Sequence, residues 1–169
     1  MKRRAYTLLY IGAAVLSMAA LLTSCEFKTV YDKYQHTPLA GWEKNDTLFF
    51  SIPKMPHAGD FRMEVGLRTD ESFPFRSISL VIEQRLYPSN IVMTDTIRCE
   101  LTNQKGYIKG NGVNFYQYKF PLKDIRLNRG DSLQVSIRHA MRRETLPGIS
   151  DVGFKIKKKP TGQTDLNIV

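Results

Sequence analysis

The segment Phe61-Arg62-Met63-Glu64-Val65-Gly66-Leu67-Arg68 decides the fold class of this chain. Apolar residues occupy every second position from Phe61 to Leu67, and polar residues or glycine stand between them. A period of two is typical of a β-strand, since successive side chains point to opposite faces of a sheet. One solvated face per strand favours antiparallel sheets, because the strands of buried parallel sheets lose the alternation.

The same alternation recurs along the chain, and no convincing helical pattern follows residue 25. The pattern predicts an all-β fold, an antiparallel β-sandwich of the jelly-roll or immunoglobulin-like kind with about seven or eight strands. A closed barrel produces a similar pattern, so the sequence leaves that alternative open. The other predicted strands are 47–52, 77–86, 91–101 with a bend at Thr94-Asp95, 113–120, 133–138 and 152–156. The predicted turns are 88–90, 106–112 and 128–131.

The N-terminus resembles a bacterial lipoprotein signal peptide. Lys2-Arg3-Arg4 precedes the uncharged segment 5–22. Leu22-Thr23-Ser24-Cys25 resembles a lipobox, in which the chain is cut before a cysteine that is then lipidated. Segment 5–22 is also just long enough for a short transmembrane helix, but no basic stop-transfer cluster follows Cys25. We therefore expect Cys25 to carry lipid and to hold the protein on the membrane.

The expected domain boundaries follow from these features. Residues 1–24 form the signal peptide, 25–45 the lipidated N-terminal tether, 46–157 the β-sandwich domain and 158–169 a C-terminal tail. A mature chain of this length is one domain that buries roughly two-thirds of its unfolded surface. Lipidation of Cys25 leaves Cys99 as the single free thiol. The alternation around Cys99 predicts that it is a small buried hydrophobic residue.

The net charge limits the classes of partner that are expected. The formal net charge of +9 falls to about +6 when Lys2-Arg3-Arg4 leaves with the signal peptide. A basic protein on a bilayer attracts anionic headgroups or an acidic protein, and no nucleic acid is expected in this compartment. We expect a lipid-anchored protein of the cell envelope. Glu26-Phe27-Lys28 is not a strong acidic signal for export to the cell surface, so we expect the protein to face the periplasm. The choice of inner or outer membrane stays open.

Residues for catalysis or metal binding do not form a recognisable motif. His36, His57 and His139 lack the spacing of metal ligands, and no Gly-x-Ser-x-Gly elbow occurs. Segment 106–112 lacks the Gly-Lys-Ser/Thr order of a phosphate loop and is expected to be a hairpin connection. We therefore expect no catalytic residue, no metal and no cofactor. His139 continues the inward alternation of its strand, which predicts a semi-buried histidine with hydrogen-bond partners.

One stretch is the predicted contact surface for a protein partner. Segment 138–154 is read as a strand, a long connection and another strand, and it is the densest in basic and special residues. The arginines either grip an acidic partner or only solvate the loop, and the sequence leaves both open. The predicted partner-binding residues are Arg138, Arg142, Arg143, Ile149 and Asp151.

A group of aromatic residues suggests an alternative function. Tyr116, Tyr118 and Phe120 fall on one face of a predicted strand, whereas Phe115 falls on the other. Exposed aromatic rings bind sugars or partner proteins well. If these tyrosines and Tyr107 are exposed together, they form a platform for glycan or peptidoglycan. If both faces are covered, no platform exists.

Three residue triplets suggest sites of O-glycosylation. Asp-Thr-Leu, Asp-Thr-Ile and Asp-Ser-Leu each resemble the O-glycosylation sequon of exported Bacteroidota proteins. A polar residue that opens a strand explains each triplet equally well. The acceptor hydroxyls would be Thr47, Thr96 and Ser132.

One set of residues and segments forms a pattern over nearly the whole mature chain: Cys25, 30–34, Gly41-Trp42, Gly106, Gly110, Gly112, 137–142 and 147–153. This pattern resembles the gliding-motility lipoprotein GldH family of the Bacteroidota. The resemblance implies an envelope lipoprotein with a structural or assembly role beside other proteins of gliding-type machinery, and it implies no enzymatic activity or ligand. The family also occurs in species that do not glide.

Overall fold

A computed structural model describes residues 29–159, which form eleven β-strands in antiparallel pairs. The predicted signal peptide, Cys25 and residues 160–169 of the predicted tail lie outside the described residues. No helix within 29–159 is long and apolar enough to cross a membrane. The strands are β1 Thr29–His36, β2 Trp42–Glu43, β3 Leu48–Ile52, β4 Gly59–Asp70, β5 Ser77–Tyr87, β6 Ile91–Glu100, β7 Phe115–Pro121, β8 Ile125–Leu127, β9 Ser132–His139, β10 Thr145–Leu146 and β11 Ile149–Lys158.

Two sheets form the sandwich. The first has the order β1-β11-β4-β7, with β8 paired to the start of β4, and the second has the order β3-β9-β5-β6. Strands β2 and β10 form a small separate ladder. Phe50 of the second sheet meets Phe154 of the first across the core, with ring centroids 6.1 Å apart. The all-β antiparallel sandwich expected from the alternation is confirmed.

Strand β4, which contains the alternating segment 61–68, lies inside the first sheet. Its inward residues Phe61, Met63, Val65 and Leu67 are all buried. Strand β11 pairs with β4 on one side, and β7 and β8 share its other side. Burial of apolar side chains at about 25 cal/mol per Å² makes this face the main contribution to the stability of the sheet.

Part of the predicted tether is sheet structure. Residues 25–45 were expected to form a tether before the sandwich, yet β1 and β2 both lie in this range. Strand β1 alternates poorly because it lies at a sheet edge and buries a single residue fully, Tyr31. Strands β2, β8 and β10 span two or three residues each, which is too short for a period to show.

Two predicted local features are wrong. Segment 106–112 is not a hairpin connection, because β6 and β7 belong to different sheets and the segment crosses between them. Strand β6 does not bend at Thr94-Asp95, since it pairs with β5 in unbroken register. The inward Asp95 is tolerated because Gln84 Nε2 donates to it at 3.1 Å and Lys123 Nζ lies 3.7 Å from it.

The register defines two ends of the sandwich. Thr29 pairs with Lys157 at one end, and the connections 53–58, 88–90 and 128–131 lie at that end, which we name the basal end. The connections 71–76, 101–114 and 140–148 lie at the other end, which we name the apical end. His36, at the far end of β1, pairs with Asp151 there.

Candidate functional site

Trp42 fastens the apical segment 140–148 to the sandwich. Its side chain is buried, and its indole N–H donates to the carbonyl of Asp46 at 2.9 Å. Its ring stands edge-on to the imidazole of His139, with centroids 5.2 Å apart. Leu146 pairs with Trp42 in the small ladder of β2 and β10. The segment is therefore held in place, although only two of its residues lie in a strand.

His139 is held by two hydrogen bonds. Its Nε2 lies 3.2 Å from the carbonyl oxygen of Trp42, and the backbone N–H of Met141 donates to its Nδ1 at 3.4 Å. A neutral imidazole with the proton on Nε2 satisfies both contacts. Burial lowers the pKa of His139, which favours this neutral form. The predicted hydrogen-bond partners are confirmed, and the residue is fully buried rather than semi-buried.

The predicted contact residues separate into two groups. Arg138, Arg142 and Arg143 are exposed, and no ion pair joins them to another residue of 29–159. Ile149 and Asp151 are only 4% and 5% exposed. Ile149 packs in the core, so neither residue presents a side chain to a partner. The contact set is reduced to the three arginines, which we name the arginine cluster.

Asp151 instead joins three strands of the first sheet. His36 Nδ1 of β1 lies 2.5 Å from its Oδ1, and Arg68 of β4 lies 3.9 Å from its Oδ2. The hydroxyl of Ser150 donates to Oδ2 at 2.9 Å. A buried carboxylate needs such partners, because an unpaired buried charge is costly. The role that this geometry supports for Asp151 is structural.

Tyr34 covers a pair of glycines on the outer face of the same sheet. Gly153 and Gly66 are register partners on β11 and β4, and Tyr34 pairs with Gly153. The phenol hydroxyl accepts a hydrogen bond from Gln117 Nε2 at 2.9 Å. The guanidinium of Arg68 lies 4.3 Å from the ring centroid, a cation–π contact. Four strands are thereby linked across the face through one side chain.

The aromatic residues of β7 turn mostly inward. Tyr118 is buried and stacks on Phe120, with centroids 6.1 Å apart and planes 8° apart. Tyr116 packs against the core, whereas Tyr107 and Phe115 are 69% and 57% exposed. The predicted platform of Tyr107, Tyr116 and Tyr118 is therefore not formed by three exposed rings.

The remaining predicted residues are distributed over the surface and core. Cys99 is buried as predicted, and burial followed by the charge of Glu100 raises its pKa to about 12. Thr96 is exposed, whereas Thr47 and Ser132 are partly buried. Within residues 29–159, no group of three or more His, Cys, Asp or Glu side chains is placed to hold a metal ion.

Comparison with known proteins decides the family. The family model described as GldH lipoprotein matches residues 29–156, which includes all eleven strands except the last residues of β11. The chain belongs to the GldH lipoprotein family. It is 31% identical over 157 residues to the gliding motility lipoprotein GldH of Flavobacterium johnsoniae, covering 88% of this chain and 97% of that protein. It is 26% identical over 147 residues to a GldH homolog of Christiangramia forsetii, covering 82% and 89%.

Two solved structures are similar to this GldH family member at a low level. A family 35 carbohydrate binding module from Clostridium thermocellum is 18% identical, with a TM-score of 0.40 over 73% of this chain and 86% of that chain. A family GH115 4-O-methyl-alpha-glucuronidase is 15% identical, with a TM-score of 0.44 over 80% of this chain and 18% of that chain.

Several segments that carried the GldH resemblance contact each other. Tyr34 of segment 30–34 pairs with Gly153 of segment 147–153. Gly41-Trp42 lies beside Leu146 and His139. Gly110 packs against Tyr116 and Tyr118, where a Cβ would come within 2.9 Å of both. Segment 30–34 runs along β1 from near the basal end, whereas most of the other motifs lie toward the apical end.

Sequence reasoning missed Tyr34 and Arg68 as organising residues. Both lie in strands, and neither belongs to a motif with known chemistry. The available signal was the pair of glycines inside β4 and β11, because a glycine inside a strand often marks the close approach of another group. Single-strand patterns do not show that Gly66 and Gly153 are register partners.

Proposed function

We propose that this GldH family member is a lipid-anchored, non-catalytic component of an envelope complex of the gliding-motility type. Cys25 holds it on the membrane, its body faces the periplasm, and the arginine cluster contacts an acidic surface of a partner protein. Family membership supports the lipoprotein part of this proposal. The observation that carries the contact surface is the position of the arginine cluster at the apical end.

The geometry of β1 supports an orientation in which the apical end points away from the anchor. Thr29 begins β1 at the basal end, four residues after Cys25. A fully extended chain of four residues spans at most about 14 Å, so the basal end stays close to a lipid on Cys25. At about 3.3 Å per residue, the eight residues of β1 carry His36 about 25 Å farther along the sheet. The apical end is therefore directed away from the anchor.

The apical end also exposes apolar side chains. Tyr107 and Val113 of the 101–114 connection are exposed, as are Phe115 at the start of β7 and Leu39 between β1 and β2. Interface cores are enriched in aromatic residues and arginine. Exposed aromatic rings together with guanidinium groups that lack ion-pair partners within residues 29–159 are features of a surface that binds another protein.

The contact proposal is tested by charge reversal in the native organism. The double variant Arg142→Glu/Arg143→Glu should reduce co-purification of cross-linked partner proteins at least about tenfold, because opposite charges across the interface become like charges. The matched control Lys54→Glu/Arg129→Glu reverses two exposed cations at the basal end and should leave co-purification unchanged. Unchanged partner recovery with the arginine variant would overturn the contact proposal.

The anchor is tested separately. The wild-type chain should incorporate radiolabelled palmitate and the Cys25→Ala variant should not, and globomycin should block processing of the wild-type chain. Equal palmitate incorporation by Cys25→Ala, or processing unaffected by globomycin, would refute the lipid anchor.

The periplasmic orientation has its own measurement. Trypsin added to intact cells should leave the protein uncut, and trypsin added after outer-membrane permeabilisation should cut it. Cleavage on intact cells would place the body on the cell exterior.

A further inference from the structure

A groove runs between the free edges of the two sheets. Strands β6 and β7 are edge strands of different sheets. On the basal side, Asp95 of β6 forms an ion pair at 3.7 Å with Lys123, two residues after the end of β7. Segment 101–114 connects them at the apical side. The groove has a volume of about 570 Å³, and a continuation of about 540 Å³ runs along segment 102–104. This space is separate from the arginine cluster.

The groove carries excess positive charge. Arg98 from β6, Lys119 from β7 and Lys109 from the connecting segment line it, and Glu100 is its single lining carboxylate. Arg98 Nε is paired to Glu100 at 2.8 Å. Among residues 29–159, no carboxylate lies within ion-pair distance of Lys109 or Lys119. Two ammonium groups are therefore available to an anionic ligand.

Both walls also present backbone hydrogen-bonding groups. In antiparallel sheets, alternate residues direct N–H and C=O to opposite edges. The carbonyl of Ser79 in β5 accepts a hydrogen bond from Ala140 on the β9 side, so the backbone groups of Ser79 point away from β6. Its register partner Arg98 in β6 therefore directs its own N–H and C=O away from β5, to the free edge of β6. The backbone N–H and C=O of Gln117 both bond to the backbone of Asn111, on the side of β7 away from β4. The backbone groups of Lys119, two residues later, point to the same free edge of β7.

A buried hydroxyl at the continuation of the groove lacks a partner. Thr102 lines this continuation, and its Oγ1 is inaccessible to solvent and makes no hydrogen bond within the described chain. A buried polar atom without a partner costs free energy, but an atom closed to solvent is also closed to a ligand in the groove, so this hydroxyl adds nothing to binding.

We infer that the groove between β6 and β7 binds an extended acidic segment of a partner protein by strand addition. The two sheet edges distinguish a polypeptide from a glycan, because a peptide strand offers backbone N–H and C=O groups at the strand repeat. Lys109 and Lys119 select carboxylate side chains on that strand, and the charge makes the binding dependent on salt.

The test uses the full-length chain purified in detergent and a short fluorescein-labelled peptide in which glutamate alternates with threonine. Fluorescence anisotropy should show saturable binding that weakens at high salt. Lys109→Glu/Lys119→Glu should weaken it at least about tenfold. The control Lys54→Glu/Arg129→Glu has the same net charge and should bind as wild type.

A second measurement separates strand addition from charge attraction. On peptide binding, the backbone amides of Arg98 and Lys119 should gain protection from hydrogen exchange, whereas exposed amides of the basal segment 128–131 should not. Binding without this protection would overturn strand addition. Binding of oligogalacturonate but not of the peptide, with the same loss in the lysine variant, would assign the groove to an acidic glycan. Absence of binding by either ligand would overturn the site.

Discussion

The phenol ring of Tyr34 lies directly over Gly153, where a Cβ would come within 2.6 Å of the ring carbon Cε1. The ring cannot easily yield, since Gln117 holds its hydroxyl and Arg68 lies over its other side. Glycine at position 153 is therefore required by close approach rather than by an unusual backbone angle. The same ring also lies against Gly66, so two adjacent strands depend on one aromatic side chain.

Gly153→Ala should lower the free energy of unfolding by about 1–3 kcal/mol, because the added methyl group overpacks the contact with Tyr34. Denaturant unfolding measures the change. In a Tyr34→Ala background the same substitution should cost little or stabilise, since alanine is otherwise better than glycine inside a strand. An equal cost in both backgrounds would contradict the contact as the cause.

His139→Gln should weaken the dependence of stability on pH. Burial lowers the pKa of His139 in the folded state, so as pH falls below about 6.5 the unfolded chain binds a proton that the folded chain does not. Stability should therefore fall with pH in the wild type, by up to about 1.4 kcal/mol per pH unit from this residue. Glutamine keeps a donor for the Trp42 carbonyl and does not titrate.

Unfolding free energies of both proteins at pH 7.5, 6 and 5 test this prediction. His36 and His57 are present in both chains, so their contributions cancel in the comparison. Parallel pH curves would show that His139 does not contribute.

Cys99 should not react with iodoacetamide in the native protein at pH 8. Its thiol is buried and its pKa is raised to about 12, so the thiolate that reacts is scarce and inaccessible. In denaturant the residue should be labelled fully. Thr96→Cys introduces a thiol at an exposed position of the same strand and should be labelled in the native state. Rapid native labelling of Cys99 would indicate that β6 opens from the sheet.

Thr96 is the predicted O-glycosylation acceptor that is most accessible. It is exposed on β6, whereas Thr47 and Ser132 are partly buried. Mass spectrometry of the protein from its native organism should find a glycan on Thr96, and Thr96→Ala should remove it. Thr94→Ala, which changes an exposed threonine outside the triplet, should not. An unmodified Thr96 peptide would contradict this prediction.

The strands with long inward alternation could be predicted from the sequence, because burial of one face imposes the period. Val65 and Phe154 are examples in which side-chain character alone indicates the core. Strand β1 could not be predicted in this way. Because β1 lies at a sheet edge, Tyr31 is the one residue of this strand that is buried in the core, so no alternation shows in its sequence. Its contacts on the outer face of the sheet are made by Tyr34.

Which strands and side chains become neighbours was harder to predict than where the strands lie. The 106–112 connection contains turn residues typical of a hairpin, yet it crosses from one sheet to the other. Asp95 suggested a bend because its stabilising partners, Gln84 and Lys123, come from other strands or loops. Asp151 was assigned to the surface for the same reason, since His36 and Arg68 become its neighbours only in the folded sheet.

The antiparallel ladder of β1 and β11 has a mechanical consequence. A tensile load between a lipid on Cys25 and a partner at the apical end enters the body at Thr29 and runs parallel to β1. The hydrogen bonds of the ladder then lie across the direction of pull and are strained together in shear, instead of opening one after another like a zip. A pull on Thr29 along β1 is therefore resisted by the whole ladder at once, and the fold does not unravel bond by bond from the N-terminal end of this strand.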